Sequence, residues 1–293
     1  MCVDGQVEWM RVVRFVMLHA ACLLVLVVGW SWIAVAVAVG VYFARVFGLT
    51  AFYHRYFSHR AFKTSRVVQF LGALLGSSAG QGGPIWWAAH HRHHHRTSDQ
   101  PEDRHSPVQK GFVWSHILWF MTREANGTNY RVVKDWLKFP ELRFLERHDS
   151  LAPTLLAIAM FALGVTVGNL WPGSGTSGVQ MLVWGSFISS VALYHATFGI
   201  NSLAHKFGSR PYQTKDDSRN NFWLALITFG EGWHNNHHYF PSSARQGFRW
   251  WEVDVSYYLL VFMSWLGLVW DLKPVPARVF DQSPRWPSAK GAL

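Results

Sequence analysis

The chain has 293 residues, of which 50% are apolar, 16% aromatic and only 15% charged. Soluble domains carry nearer a quarter charged residues, so this deficit, with 17 tryptophans, excludes an ordinary soluble domain and points to a membrane protein. The formal charge of +10 suits lipid headgroups, phosphate-bearing substrates or acidic proteins, and equally the basic cytoplasmic face of any membrane protein; no nucleic-acid partner is expected.

In chain order, residues 15–44 contain no Asp, Glu, Lys or Arg. A spanning helix needs about 20 residues, so this run is too long for one crossing. It reads as a hairpin of helices at about 11–29 and 32–51, turning at GWSW (29–32), with Arg14 and Arg45 snorkelling at the open ends. Residues 67–80 are apolar on one side and too short to cross. Residues 150–205 are again uncharged and are broken by WPGSGTSG (171–178), giving helices at about 152–171 and 179–201. A last apolar run, VSYYLLVFMSWLGLVW (255–270), reads as an interfacial helix. Were it to cross, Lys273, Arg278, Arg285 and Lys290 would lie on the far side. Neither hairpin turn carries Lys or Arg. The positive-inside rule therefore places both termini and the segments 52–150 and 202–293 in the cytoplasm. The expected fold is an all-α integral membrane protein: four transmembrane helices and a cytoplasmic helical cap, with 1–293 a single domain. Cys22 falls in an apolar run, so no disulfide with Cys2 is expected.

Sixteen histidines occur, and their placement is not random. His54 and His59 follow the second helix, and the five-residue spacing suits a helix that ends or unwinds there. His91, His94 and His95 repeat the spacing of His234, His237 and His238, and positions i, i+3 and i+4 share one helix face. Asn201 and His205 end the fourth helix. All four groups fall on one side of the membrane. Nine imidazoles exceed the needs of one metal, and two metals with four or five nitrogens each is the economical reading. His19, His105, His116 and His148 read as structural; His90 and His93 lie off the shared face; His195, inside the fourth helix, stays open between an outer partner and a packed ring. Imidazole suits iron, copper, nickel and zinc alike. A redox pair beside an apolar space suits dioxygen chemistry on an unactivated C–H bond, and no HExxH motif supports zinc hydrolysis.

HRYFSH, HRHHH with Asp99 four residues on, NSLAH and HNNHH resemble the histidine boxes of membrane fatty-acid desaturases. More narrowly, residues 30–272 resemble the acyl-CoA (stearoyl-type) delta-9 desaturases and their bacterial relatives. The resemblance implies two irons held by His54, His59, His91, His94, His95, His205, His234, His237 and His238, with Asn201 acting through a water. It implies dioxygen as co-substrate and two electrons from a separate donor of ferredoxin, rubredoxin or cytochrome b5 type. It also implies a cis double bond in a fatty acyl chain, held in a bent tunnel at whose bend stand Gln81, Trp87 and Thr197. A bacterial plasma membrane is the implied location. One position departs from the pattern: the animal enzymes place an Arg-Asp pair against the CoA headgroup where this chain has Ala89 and His90, which leaves acyl-CoA and acyl-lipid substrates both open. The rivals are a membrane lipid or alkane hydroxylase and a metal transport or storage protein.

Overall fold

The computed structural model describes residues 6–281; Cys2, Arg285 and Lys290 lie outside them. The first hairpin pairs α1 (Trp9–Val28) with α2 (Trp32–Ser58). Two cap helices follow, α3 (Arg66–Ser77) and α4 (Pro84–Thr97). The second hairpin is α5 (Leu151–Leu170) and α6 (Gly178–His205), and α7 (His234–Tyr239) and α8 (Val255–Trp265) complete the cap. Among the described residues, α1, α2, α5 and α6 are the four helices long and apolar enough to cross a membrane. They begin within two residues of the expected spans, but α2 runs on to Ser58 and α6 to His205, past the expected ends at 51 and 201.

Each hairpin turn is built by residues that stop one helix and start the next. Gly29 takes φ +64°, a backbone that side chains disfavour, and Ser31 caps α2 by accepting from the Ala34 amide at 3.1 Å. Ser177 caps α6 in the same way. The turns are stitched together: Ser31 Oγ meets Thr176 Oγ1 at 2.8 Å, and Gln180 and Trp184 donate to the carbonyls of Val28 and Gly29. Arg45 departs from expectation. It does not snorkel but is 1% exposed, and donates to Ser189 Oγ (2.5 Å) and Ser190 Oγ (2.6 Å) on α6. Two hydroxyls from a neighbouring helix give the guanidinium acceptors where it lies.

The last stretch of α2, Gly48–Ser58, is wound as a π-helix, and every one of its residues is buried. Such a stretch closes hydrogen bonds from i to i+5, as His59 N does to His54 O at 3.2 Å. α3 lies directly on it because Gly72 and Gly76 carry no side chain; a Cβ at either would enter the ring of Phe52 or Tyr53. Gly76→Val therefore costs about 1–3 kcal/mol by overpacking, read as a lower unfolding midpoint in detergent. α8 docks on the other side, with Ser256 Oγ 2.5 Å from Thr50 Oγ1 and Leu260 buried. After it, Val269–Trp270 pairs antiparallel with Lys63–Thr64, fastening the chain's last described part to the end of α2.

Candidate metal centre

Four elements deliver the nine histidines. α4 begins with Pro84 in its first turn, and the Glu146 carboxylate accepts from the amides of Ile85 and Trp86. It thereby presents His91, His94 and His95 on one face. α7 presents His234, His237 and His238, and the end of α6 presents His205. The π-helical turn brings His54 and His59, five apart, onto one side, with ring centroids 4.9 Å apart.

The rings separate into two adjoining groups: His54, His59, His91, His95 and His237, and His94, His205, His234 and His238. Within each, one nitrogen per ring lies within 4.8 Å of all the others. Nε2–Nε2 separations are 2.9 Å for His54–His237, 2.8 Å for His59–His91 and 3.0 Å for His205–His234. Carboxylates stand behind four of the rings. Glu231 takes Nδ1 of His54, Asp103 that of His94 (3.1 Å), Asp99 that of His205 (2.9 Å) and Asp216 that of His238 (2.7 Å). A carboxylate only accepts, so Nδ1 carries the hydrogen and Nε2 turns a lone pair into the group, the tautomer a metal requires.

Electrostatics disfavours charge on most of the rings; His94 is the exception, where burial opposes charging but Asp103 outweighs it and raises the ring's pKa. Burial first, and then the neighbouring imidazoles, push His59, His91, His95, His234 and His237 well below the usual histidine value. The carboxylates are held ionised. Burial opposes this, but His205 and Ser106 bring Asp99 down to about 2, while Asp103 and Asp216 are lowered by His94 and His238. Asp99 sits at φ +58° and is fixed by Ser106 Oγ, the Asp217 amide and Gln109. His238 Nε2 and His234 Nδ1 are buried in the four-ring group without a hydrogen-bond partner. Neutral imidazoles, anchored Nδ1–H groups and an orphaned inward nitrogen fit divalent metals.

Beside the groups opens a cavity of about 240 Å³ lined by Gln81, Trp87, His91, Thr197 and Asn201, with aromatic walls from Phe15, Phe120 and Phe198. Gln81 Nε2 donates to Thr197 Oγ1 at 2.7 Å, and Trp87 stacks on His91 with centroids 4.9 Å apart. Asn201 borders the cavity.

The fatty acid desaturase family model matches residues 29–260. The chain belongs to the fatty acid desaturase family. This desaturase is 37% identical over 271 residues to an sn-1 stearoyl-lipid 9-desaturase of Anabaena variabilis, covering 92% of this chain and 94% of the relative. It is 39% identical over 250 residues to a chloroplastic palmitoyl-monogalactosyldiacylglycerol delta-7 desaturase of Arabidopsis thaliana. That match covers 83% of this chain but 63% of the plant protein's length. With an acyl-CoA 5-desaturase of Anemone leveillei it shares 37% over 254 residues, 85% of this chain and 74% of the relative. Family membership makes the chain a membrane oxidoreductase of lipid metabolism.

The sequence alone did not reveal the carboxylates of the desaturase's site. Asp103, Asp216 and Glu231 are spread through cap segments with no shared spacing to their histidines. Only Asp99, four residues after the second cluster, stood near enough to signal. His105, read as structural, packs on His94 at 4.3 Å and joins His94 and Asp103 in a third, smaller group.

Proposed function

We propose that the chain introduces a cis double bond at the delta-9 position of a saturated fatty acyl chain, using dioxygen, two irons and two electrons from a separate donor protein of ferredoxin, rubredoxin or cytochrome b5 type. One observation carries the reading: the five- and four-histidine groups adjoin, and an aromatic-walled cavity bordered by Asn201 meets the five-histidine group at His91. His54, His59, His91, His95 and His237 would hold one iron; His94, His205, His234 and His238, with Asn201 through a water, would hold the other. Bound iron would supply activation of dioxygen and removal of two hydrogens from adjacent methylenes.

The chain's own residues position the substrate. The Gln81–Thr197 bond sets a polar bar across an apolar channel, a fixed point around which an acyl chain bends. Trp87, stacked on His91, walls the reacting carbons from water. Arg11 and Arg14 border the same cavity, and Arg143 and Arg147 border the recess that continues from it past Trp86. These guanidiniums suit a phosphate-bearing headgroup and take the place of the missing pair at Ala89 and His90. Similarity over nearly the whole length of the Anabaena lipid 9-desaturase supports the delta-9 position and an acyl-lipid; the Anemone relative keeps acyl-CoA in view. The hairpin turns, free of Lys and Arg, support cytoplasmic termini; a bacterial plasma membrane is the location this reading takes; and the family match over 29–260 supports one domain.

Expression in a desaturase-deficient host, followed by gas chromatography–mass spectrometry of derivatised fatty acids, tests the reading. A cis-monoene at C9 is the expected product. Hydroxylated chains would move the assignment to a hydroxylase, and iron-loaded protein without oxygen uptake to a metal-handling protein. Asn201→Ala should lower iron content and turnover about 10–100-fold; unchanged iron and turnover would remove its water-mediated role.

A further inference from the structure

α1 differs from the other three spans. None of its residues is buried, whereas α2, α5 and α6 each bury part of theirs. One face of α1, with Arg11, Arg14, Phe15 and Leu18 at i, i+3, i+4 and i+7, lines the cavity that meets His91. α6 supplies the facing wall with the same spacing, from Tyr194 to Asn201. The opposite face of α1, with Val13, Val16 and Met17, is exposed and apolar, as a surface turned to lipid tails is. A single helix thus stands between the cavity and the bilayer.

That helix is held chiefly at its two ends. Near the hairpin turn its ladder tightens: the amides of Leu23, Leu24, Leu26 and Val27 each bond the carbonyl three residues back, at 2.9–3.2 Å. Such a stretch inside a helix often marks a hinge. Beyond it, Gln180 and Trp184 fix the carbonyls of Val28 and Gly29 to α6. At the cytoplasmic end, the residues leading into α1 are latched to the segment that follows Trp119. Val7 stands opposite Thr122 in an antiparallel bridge, flanked by Glu8 N to Met121 O at 2.7 Å and Arg123 N to Gln6 O at 2.9 Å. Arg11 Nη1 adds a bond to the Phe120 carbonyl at 2.9 Å. Between hinge and latch, among the described residues, the side-chain hydrogen bond from α1 to another span is His19 Nε2 to His195 Nε2 at 3.1 Å. A segment with no buried residue and so few bonds is drawn from the part of a fold that opens most easily.

We propose that α1 is a lateral gate: it swings at Leu23–Val27, releases residues 6–8 from 121–123, and lets the acyl chain of a bilayer lipid enter the cavity sideways. The proposal rests on the desaturase reading and narrows its substrate to a lipid that stays in the membrane.

Sideways entry keeps every methylene in apolar surroundings, whereas end-on threading from the cytoplasm would draw the chain through water. Arg11 and Arg14 stand on the gate itself, so a phosphate-bearing headgroup is met at the cavity rim while its second chain remains among the lipids. A headgroup that takes Arg11 also removes that side chain's bond to Phe120. The substrate thereby favours the open state of the latch it must pass.

The test locks the latch in the full-length, iron-loaded protein. Val7 and Thr122 form the non-hydrogen-bonded kind of antiparallel pair, whose Cα atoms lie about 4.5 Å apart, within reach of a disulfide. Val7→Cys with Thr122→Cys, in a Cys2→Ser, Cys22→Ala background, is placed in nanodiscs of dioleoyl phosphatidylcholine carrying distearoyl phosphatidylglycerol, with a reducing donor and thiol counting before and after turnover. The closed disulfide should keep its iron but desaturate the stearoyl chains at least tenfold more slowly, and a phosphine should restore the rate. Closed after loading with the lipid, it should make one double bond per site and stop, which damage to the metal centre does not produce. Equal rates with the disulfide closed and open would overturn the gate, as would an open form that desaturates stearoyl-CoA added from water but never the bilayer lipid. Should the pair fail to fold or to close, spin labels at Trp9→Cys and Lys134→Cys in the same background decide instead. A second, longer separation on adding the stearoyl lipid supports the swing, and one unchanging separation overturns it. Failure of the wild type to form a double bond in either substrate would count against the desaturase reading itself, separately from these outcomes.

Discussion

His94→Ala should abolish double-bond formation while leaving a folded membrane protein. The ring is 4% exposed, its Nδ1 is held by Asp103, and its other nitrogen is one of only four in its group. Asp103 does not depend on the histidine for its position, since it also accepts from the amides of Asp99 and His105. The substitution therefore removes one donor without collapsing the wall behind it. Its effect should exceed the 10–100-fold typical of a group that only orients a ligand; Asp103→Asn, which keeps the shape, should fall in that smaller range. Product analysis and metal content check both. Retained turnover in His94→Ala would sink the ligand assignment.

Arg55→Ala should be strongly destabilising, at about 3–5 kcal/mol, because it sits where the end of α2 meets the cap. The guanidinium is 1% exposed, lies 2.9 Å from Asp254 and 3.2 Å from Glu231, and donates to the Ala244 carbonyl at 2.8 Å. Its removal strands two carboxylates in the interior. Both have other duties: Asp254 caps α8 through the Tyr257 amide, and Glu231 holds His54. Stability and metal retention should fall together. Arg55→Lys should rescue only part of the loss, because a point charge cannot bridge three acceptors as a planar fork does. Thermal unfolding in detergent, paired with iron analysis, checks this; an unchanged midpoint would show the pair to be replaceable.

The legible features were those that depend on spacing. Uncharged runs placed the starts of the four long helices to within two residues but missed the extension of α2 to Ser58, and the repeated i, i+3, i+4 pattern placed six histidines on two faces. His54 and His59 were legible as a pair but not as a conformation. Nothing in HRYFSH announces a π-helix, which forms because buried packing against α3 and α8 fixes the backbone from both sides. Arg92, inside the HRHHH cluster, is a fastener, donating to the carbonyls of Phe57 and Ser58 and to Asp135. Arg45 misled because its partners, Ser189 and Ser190, are about 145 residues away. The carboxylates behind the histidines escaped for the same reason: their meaning is set by tertiary contact, which no local pattern encodes.

That separation along the chain has a consequence for synthesis. His54 and His237, in contact at 2.9 Å, are 183 positions apart. At 5–20 residues per second, the first box waits roughly 10–40 s after leaving the ribosome before its last partner exists. During that interval the early imidazoles are exposed, incomplete and open to any transition metal near the membrane surface. Neither histidine group is complete until α7 docks, so overexpression under iron shortage should raise the share of other metals in the protein.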